Sequence, residues 1–503
     1  MNLHDSGAAD PRRWLVLAIT ASGLLLICVD ITVLFIALPA LTQALEATNS
    51  QRLWILNAYP IVVAGLLPGL GTLGDRYGHR RLFTAGLVVF GAASLSAAYA
   101  PTATLLIAAR AGLGVGAAMM MPATLAIIRA SFSDPRERSV ALGLWGGVAS
   151  AGMAAGPLVA GLLLTRFSWG SVFLINVPVV ALALLGAWLA IPKRAAPGGP
   201  PWDITGSLQL LLVLTALMYA IKEPSRQDWS MLRLAAALLL AMTAFAFYWR
   251  GQRQRAQPLL DFTLFRLPDF GGAFSAACLG TTGAVGLELA LSQYLQLVET
   301  RVPLAAALVL LPMSIAGFIA APLAGRLLHR WPPRALGGGG FVLAAACAGT
   351  LAMLPATTSQ PEWPRLLLLA GIGVGIGATV TFASAIIMNA APPERAGMAA
   401  SIEEVGFELG GALGVAVFGS IMTLAYAFSL QPMLTDTAVP AAVLDSFDEA
   451  LRVAAALPAP EGALLRTAGA ESFTAALRAV LLGVAVLWFT TGLVIGTGKK
   501  IRA

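Results

Sequence analysis

This chain is poor in charge. Asp, Glu, Lys and Arg make up 11% of its 503 residues and hydrophobic residues 58%, whereas a water-soluble domain carries about 25% charged residues. Water is therefore not the main solvent of its surface. Histidine and cysteine are scarce as well, with three of each. His4, His79 and His329 all fall in polar segments, which leaves no metal or nucleophile constellation for a membrane-embedded enzyme. Cys28, Cys278 and Cys347 lie in apolar stretches without a pairing pattern, so they read as packed thiols with no disulfide framework. A Gly-x-x-x-x-Gly-Lys-Ser/Thr phosphate loop is missing too. The nearest run, Gly496-Thr497-Gly498-Lys499-Lys500, lacks the spacing, which argues against an ATP-driven pump. No cofactor and no metal are expected.

Apolar runs are what the chain does have. A membrane span needs about 20 apolar residues, and fourteen runs qualify: 14–39, 53–73, 82–100, 104–128, 139–164, 170–191, 204–221, 231–249, 270–297, 304–328, 335–355, 364–389, 399–424 and 474–496. The first is too long for a signal peptide's apolar region and no small-residue cleavage site follows it, so it is expected to be a retained helix. An even number of spans puts both ends on one side. On that layout about 21 of the 32 Lys and Arg fall on the side of the termini and about 10 opposite, with Arg110 inside the bilayer. The positive-inside rule then predicts a multi-pass protein of the cytoplasmic membrane with both termini in the cytoplasm. The net charge of +7 is spread over short loops and points to no nucleic-acid partner. One connection is long, 429–473. It carries the amphipathic stretch Val443-Leu444-Asp445-Ser446-Phe447-Asp448-Glu449-Ala450-Leu451, which reads as a helical hairpin at the outer mouth or as a solvated linker.

The chain repeats itself. Ala111-Gly112-Leu113-Gly114-Val115-Gly116 returns as Ala370-Gly371-Ile372-Gly373-Val374-Gly375, and Pro-x-Glu-Arg occurs at Pro135–Arg138 and again at Pro392–Arg395, 257 residues on. Gly71–Arg76 is echoed by Pro322–Arg326. Repeats in one orientation indicate two bundles related by an axis along the membrane normal. The expected fold is all-α and polytopic. Residues 1–192 form one six-helix bundle and 193–268 an inserted helix pair with its linkers. Residues 269–503 form the second bundle, with the 429–473 loop outside the cytoplasm.

Against this apolar background the buried charges stand out. Glu403, Glu404 and Glu408 sit in one span, where an ionised acid costs roughly 2.5–3.5 kcal/mol even on a lenient insertion scale. Such residues are kept when they face a cavity and bind protons or cations. Glu404 and Glu408 are four apart and share a helix face, whereas Glu403 points about 100° away and equally suits a structural tie to a neighbouring helix. A carboxyl in that setting holds a proton or a lipophilic cation, but not both stably. Asp30 and Glu288 are further candidates, each weighed against a plain hydrogen-bonded acid. Arg110 must meet a carboxylate or backbone carbonyls. Shifted by 257 residues, Gly146, Gly147 and Ala151 overlie the three glutamates, which puts the coupling chemistry mainly in the second half. Gly143, Gly147, Gly152, Gly156 and Gly161, with Pro157, line span five at a spacing that suits close helix packing. Trp54, Tyr59, Trp145, Tyr294, Phe382 and Phe407 offer faces to an organic cation, each worth roughly 0.5–2 kcal/mol, or simply pack.

Taken together, these motifs resemble the major facilitator superfamily, and within it the fourteen-span drug:proton antiporters of the QacA/SmvA type, which expel quaternary ammonium compounds. The resemblance covers essentially the whole chain. Gly71-Thr72-Leu73-Gly74-Asp75-Arg76-Tyr77-Gly78-His79-Arg80-Arg81 is similar to the superfamily's cytoplasmic signature, which implies that Asp75, Arg76, Gly74 and Gly78 serve an inner gate. Arg110, Gly112 and Gly116 fit the fourth-span motif, and the resemblance gives Arg110 a part in proton transfer. Gly152-Met153-Ala154-Ala155-Gly156-Pro157 fits the fifth-span antiporter motif. Val29-Asp30-Ile31-Thr32 through Ala37-Leu38-Pro39, and Trp169–Pro178, are further matches. The chain departs from the pattern at Asn57 and Gly317, where some relatives carry acids, and has Glu288 instead. The expected function is proton-driven efflux of lipophilic organic cations across the cytoplasmic membrane by a monomer, with the proton gradient as energy source. Export of one dedicated metabolite, such as an antibiotic or siderophore, by the same antiport is the alternative.

Overall fold

The computed structural model describes residues 12–132, 134–192, 203–225, 229–255, 258–259, 262–267, 270–328, 330–354, 362–390, 396–434 and 440–497. Its first half consists of α1 (Arg13–Ala44), α2 (Asn49–Tyr77), α3 (His79–Ala98), α4 (Ala103–Ser131), α5 (Pro135–Leu164), the single turn α6 (Ser171–Leu174) and α7 (Asn176–Ala190). The inserted pair is α8 (Ile204–Lys222) and α9 (Met231–Arg253). The second half is α10 (Phe270–Leu297), α11 (Pro303–Leu327), α12 (Pro333–Met353), α13 (Trp363–Ala390), α14 (Ala396–Leu430), the short α15 (Phe447–Ala456) and α16 (Ala459–Thr497). Among the described residues, thirteen helical stretches are long and apolar enough to cross a membrane. α5, 30 residues long, lies at the place of the remaining predicted span.

Local chemistry sets the helix ends. Thr48 accepts the Gln51 amide while the Gln51 side chain reaches back to the Thr48 N–H, a capping box that starts α2. Thr102 and Asp203 cap α4 and α8 more simply, their side-chain oxygens accepting the Leu105 and Gly206 N–H groups. Several helices overrun the predicted spans because backbone hydrogen bonding does not stop where the lipid does, whereas the span expected at 170–191 is interrupted at Ile175 between α6 and α7. The segment 74–81, left between the second and third predicted spans, is nearly all helix, broken only at Gly78. There φ is +97°, in the region that favours glycine, and α2 hands over directly to α3.

The repeat is visible in the packing. α1 lies on α5, α2 on α4, and α3 on α4 and α7. Correspondingly, α10 lies on α14, α11 on α13, and α12 on α13 and α16. The halves meet through α2 against α14, α5 against α11 and α1 against α10. At the α1–α10 crossing the Ser292 hydroxyl donates to the Phe35 carbonyl at 2.7 Å. These two residues are 257 positions apart, the same offset as the Pro-x-Glu-Arg echo, so equivalent helices touch near the pseudo-two-fold axis. α8 leans on both α2 and α14, while α9 packs on α8.

The long connection resolves in favour of the hairpin. α14 continues to Leu430, and α16 begins at Ala459 instead of the expected 474. At 1.5 Å per residue its 39 residues reach about 58 Å, roughly twice the hydrocarbon thickness. α15 folds onto its protruding part, with the Phe447 and Phe473 rings 5.6 Å apart and the Phe447 ring seated over Gly469. Arg52 at the head of α2 then bridges to Asp448 at 2.9 Å and to Asn49 at 2.7 Å, while Asn49 donates to Thr423 of α14 at 2.8 Å. These ties clamp the halves together on the side away from the termini.

Candidate functional site

The deepest charges form one network in the first half. Asp30 on α1 and Arg110 on α4 are an ion pair with essentially no exposure (0% and 2%). Arg110 also donates through Nε to the Ile55 carbonyl at 3.2 Å, so it meets both a carboxylate and a backbone acceptor. Its guanidinium lies over the Tyr59 ring, 4.8 Å from the centroid. Asn176, at the start of α7, donates to Asp30 Oδ1 and to Ser94, both at 3.2 Å. α5 closes on this part of α1 because it carries glycine there. A Cβ at Gly152 would lie 2.9 Å from Cys28 Cβ, and one at Gly156 would lie 3.0 Å from Thr32 Cβ. Pro157 is buried beside them. Gly161 in turn lets α5 approach Leu304 of α11 in the other half.

Of the acids of α14 in the second half, Glu408 faces this network. Glu403 and Glu408 are buried, at 8% and 7% exposure. Glu404 is half-buried. Glu403 points away from the other two and accepts the Ser384 hydroxyl of α13. Glu404 and Glu408 make no hydrogen bond or ion pair among the described residues. Both act electrostatically on Cys28 of α1, and Glu408 also feels Arg110 and acts on Tyr59. Glu408 therefore stands within electrostatic reach of an arginine already committed to another carboxylate, and Glu404 acts on Glu408 in turn. Such an arrangement can exchange protons and cations, because neutralising any one acid changes the field at the others.

Other predicted residues fall elsewhere. Glu288 on α10 is deep and half-buried, with no charged group among the described residues acting on it, so it stands apart from the acids of α14. The aromatic group does not assemble into one pocket. Trp54 gives its face to the protein's own Lys222, 4.4 Å from the ring centroid, and Tyr59 gives its face to Arg110. Trp145 packs with Leu17, Ile128 and Phe132. Phe382 is seated against Gly337, and Phe407 packs on the main core. Tyr294 lines a separate cavity inside the second half. At the turn between α2 and α3, Gly74 makes room for the His79 ring, Arg76 is exposed and lies over Tyr77, and Arg80 donates to the Trp188 carbonyl of α7 at 3.0 Å. The Asp75 side chain, Gly143, Gly146, Gly147 and the second Pro-x-Glu-Arg copy lie outside the described residues.

Sequence reasoning missed Asn176, Ser94 and the proximity of Cys28 to the glutamates. Asn176 had a signal, since it is the lone amide in the apolar run Val172–Val180. Ser94 and Cys28 had none, because small polar residues in spans are common.

With this geometry in place, the comparisons are decisive. The Major Facilitator Superfamily model matches residues 20–415. This chain belongs to that superfamily. The methyl viologen resistance protein SmvA of Salmonella typhimurium is 35% identical over 463 residues, spanning 92% of this chain and 93% of that protein. The multidrug efflux pump LfrA of Mycolicibacterium smegmatis is 34% identical over 491 residues and 97% of each. Puromycin resistance protein pur8 of Streptomyces alboniger is 35% identical over 466 residues, 91% of this chain and 90% of its own length. Among solved structures, a bacterial homologue of the lysosomal transporter Spinster superposes with TM-score 0.67 at 17% identity, covering 99% of this chain and 100% of the other. That likeness speaks for the fold alone. The superfamily member described here is a multi-pass membrane transporter and not an enzyme.

Proposed function

We propose that the chain exports lipophilic organic cations from the cytoplasm in exchange for protons, with both termini inside. The observation that carries this reading is the approach of Glu408, which makes no hydrogen bond or ion pair among the described residues, to Arg110 of the Asp30–Arg110 pair across the seam between the two halves, with Glu404 one turn away on the same helix. A proton on Glu408 removes its attraction for a cation. Losing that proton leaves a carboxylate that either a substrate cation or Arg110 can satisfy. Substrate and proton thus compete for the same site, and reorientation of the halves carries one out and the other in. The names of SmvA and LfrA, a methyl viologen resistance protein and a multidrug efflux pump, support a cationic or broad cargo. Glu403 is tied to Ser384 and acts here as a support for its helix, and Glu288 as a secondary polar group on the route.

The alternative is one dedicated natural product carried by the same exchange. Relatives named for puromycin, methylenomycin A and tetracenomycin C favour it. Proteoliposomes containing the purified chain separate the two. An imposed pH gradient should drive ethidium and benzalkonium uptake into inside-out vesicles, and Glu408→Gln should abolish it with the protein still folded. Uptake that ignores the pH gradient removes proton coupling. Coupling to a single antibiotic and to none of the cations selects the alternative.

A further inference from the structure

The cavity that holds Tyr294 is far from the seam and carries a chemistry of its own. It has a volume of about 40 Å³ and lies inside the second half, at the end away from the termini. Leu291 of α10, Leu310 of α11, Leu369 of α13 and Leu481 of α16 form its apolar wall. Its polar lining is Tyr294, Thr474, Arg365 and Arg478, with Thr474 meeting the Tyr294 hydroxyl.

The charges around it do not balance. Glu299 is held by Arg301 at 2.6 Å and by Arg365 at 2.7 Å, and Arg301 also pairs with Glu362. Two carboxylates thus answer two guanidiniums. Thr300, with φ of +51°, makes the unusual turn that sets Glu299 and Arg301 side by side. Arg478 is left over. It is exposed and makes no hydrogen bond or ion pair among the described residues, although it is within electrostatic reach of Tyr294. From Arg478 to the end of α16 at Thr497 the helix rises about 28 Å, close to the roughly 30 Å of bilayer hydrocarbon. Arg478 therefore stands at headgroup level on the lipid-facing surface, beside a cavity mouth that Arg365 also lines. At roughly 10–15 Å³ per water-sized group, the cavity admits about three or four oxygens, and a guanidinium matches a phosphate's paired oxygens.

We infer that this mouth binds a phosphate oxyanion, supplied by the headgroup of an anionic phospholipid in the leaflet away from the termini. The diglyceride stays in the bilayer against α16 while the phosphate oxygens bridge Arg478 and Arg365.

Thermal unfolding of the full chain in detergent tests this. Titrants are a short-chain phosphatidylglycerol, the diacylglycerol with the same chains, and inorganic phosphate. Phosphatidylglycerol should raise the midpoint by several degrees. Arg478→Gln, which removes an unpartnered and exposed side chain, should need at least fivefold more lipid for half the effect. Arg466→Gln, exposed on the same helix outside the cavity, should behave as wild type. Equal responses of wild type and Arg478→Gln, or stabilisation by diacylglycerol equal to that by phosphatidylglycerol, overturn the inference. A shift reproduced by inorganic phosphate and lost in Arg478→Gln assigns the site to a soluble anion and overturns the lipid.

Discussion

At the residue scale the Asp30–Arg110 pair is the part most sensitive to change, because each partner is fully desolvated and each satisfies the other. Removing one member of a buried pair typically costs about 3–5 kcal/mol. Asp30→Asn should therefore lower the unfolding midpoint of the detergent-solubilised protein strongly, and Asp30→Asn with Arg110→Gln should recover part of the loss. If the single and double variants melt alike, the pair does not act as a unit. Glu404→Gln carries no such stability penalty, since no partner is orphaned. Its effect should appear as a loss of pH-driven exchange of tenfold or more in vesicles. Outside the membrane, Arg301 beside Glu362 holds that carboxyl below its ordinary range. A depressed acid stabilises the fold above its unfolded value and loses that contribution as pH falls through the folded one. Because Glu362 is exposed, the change is at most a few tenths of a kcal/mol. Glu362→Gln should therefore leave the acid limb of the stability–pH curve nearly unmoved.

At the scale of elements, the glycines of α5 and the inserted pair do different work. Gly156 allows α5 to lie against Thr32, two residues from Asp30. A methyl group there forces α1 and α5 apart, and overpacking of this kind costs about 1–3 kcal/mol. Gly156→Ala should lower both the melting midpoint and exchange, and Gly156→Ala with Thr32→Ala, which removes the hydroxyl that the added methyl meets, should restore part of each. α8 is held to α2 by Lys222 on the Trp54 ring, a contact worth about 0.5–2 kcal/mol. Lys222→Met should loosen the inserted pair, and faster amide hydrogen exchange across α8 is the readout. Unchanged exchange would show that the packing of α8 on α2 and α14 is sufficient by itself.

At the scale of the whole molecule, the two halves are joined where Asn49, Arg52, Thr423 and Asp448 meet, with Ser292 on Phe35 at the central crossing. Rocking about that crossing must break the clamp when the far side opens. An oxidised Asn49→Cys/Thr423→Cys pair should therefore stop transport, and reduction should restore it. Transport that persists through the cross-link means the α2–α14 seam stays shut throughout the cycle. Energy sets a further expectation. Exchange of one proton for a monovalent cation moves no net charge. Two protons would add the membrane potential, about 2.3 kcal/mol per 100 mV, so a valinomycin-imposed potential distinguishes the two stoichiometries.

The sequence by itself determined where the long apolar helices lie, that their pattern repeats, and which charges are too expensive to be accidental. Those properties are local: a run of twenty apolar residues, a repeated glycine pattern or a glutamate among leucines carries its meaning wherever the chain folds. Tertiary structure alone decided partnership. Nothing near Arg110 in the chain points to Asp30, 80 positions away, or to the amide of Asn176. Nor does span thirteen reveal that Glu403 turns to Ser384 while Glu404 and Glu408 face Cys28. The same holds for the aromatics, whose faces look available to a ligand until Lys222 and Arg110 are seen on two of them. A side chain's cost is written in its own surroundings along the helix, but what offsets that cost comes from another helix, and only packing brings the two together.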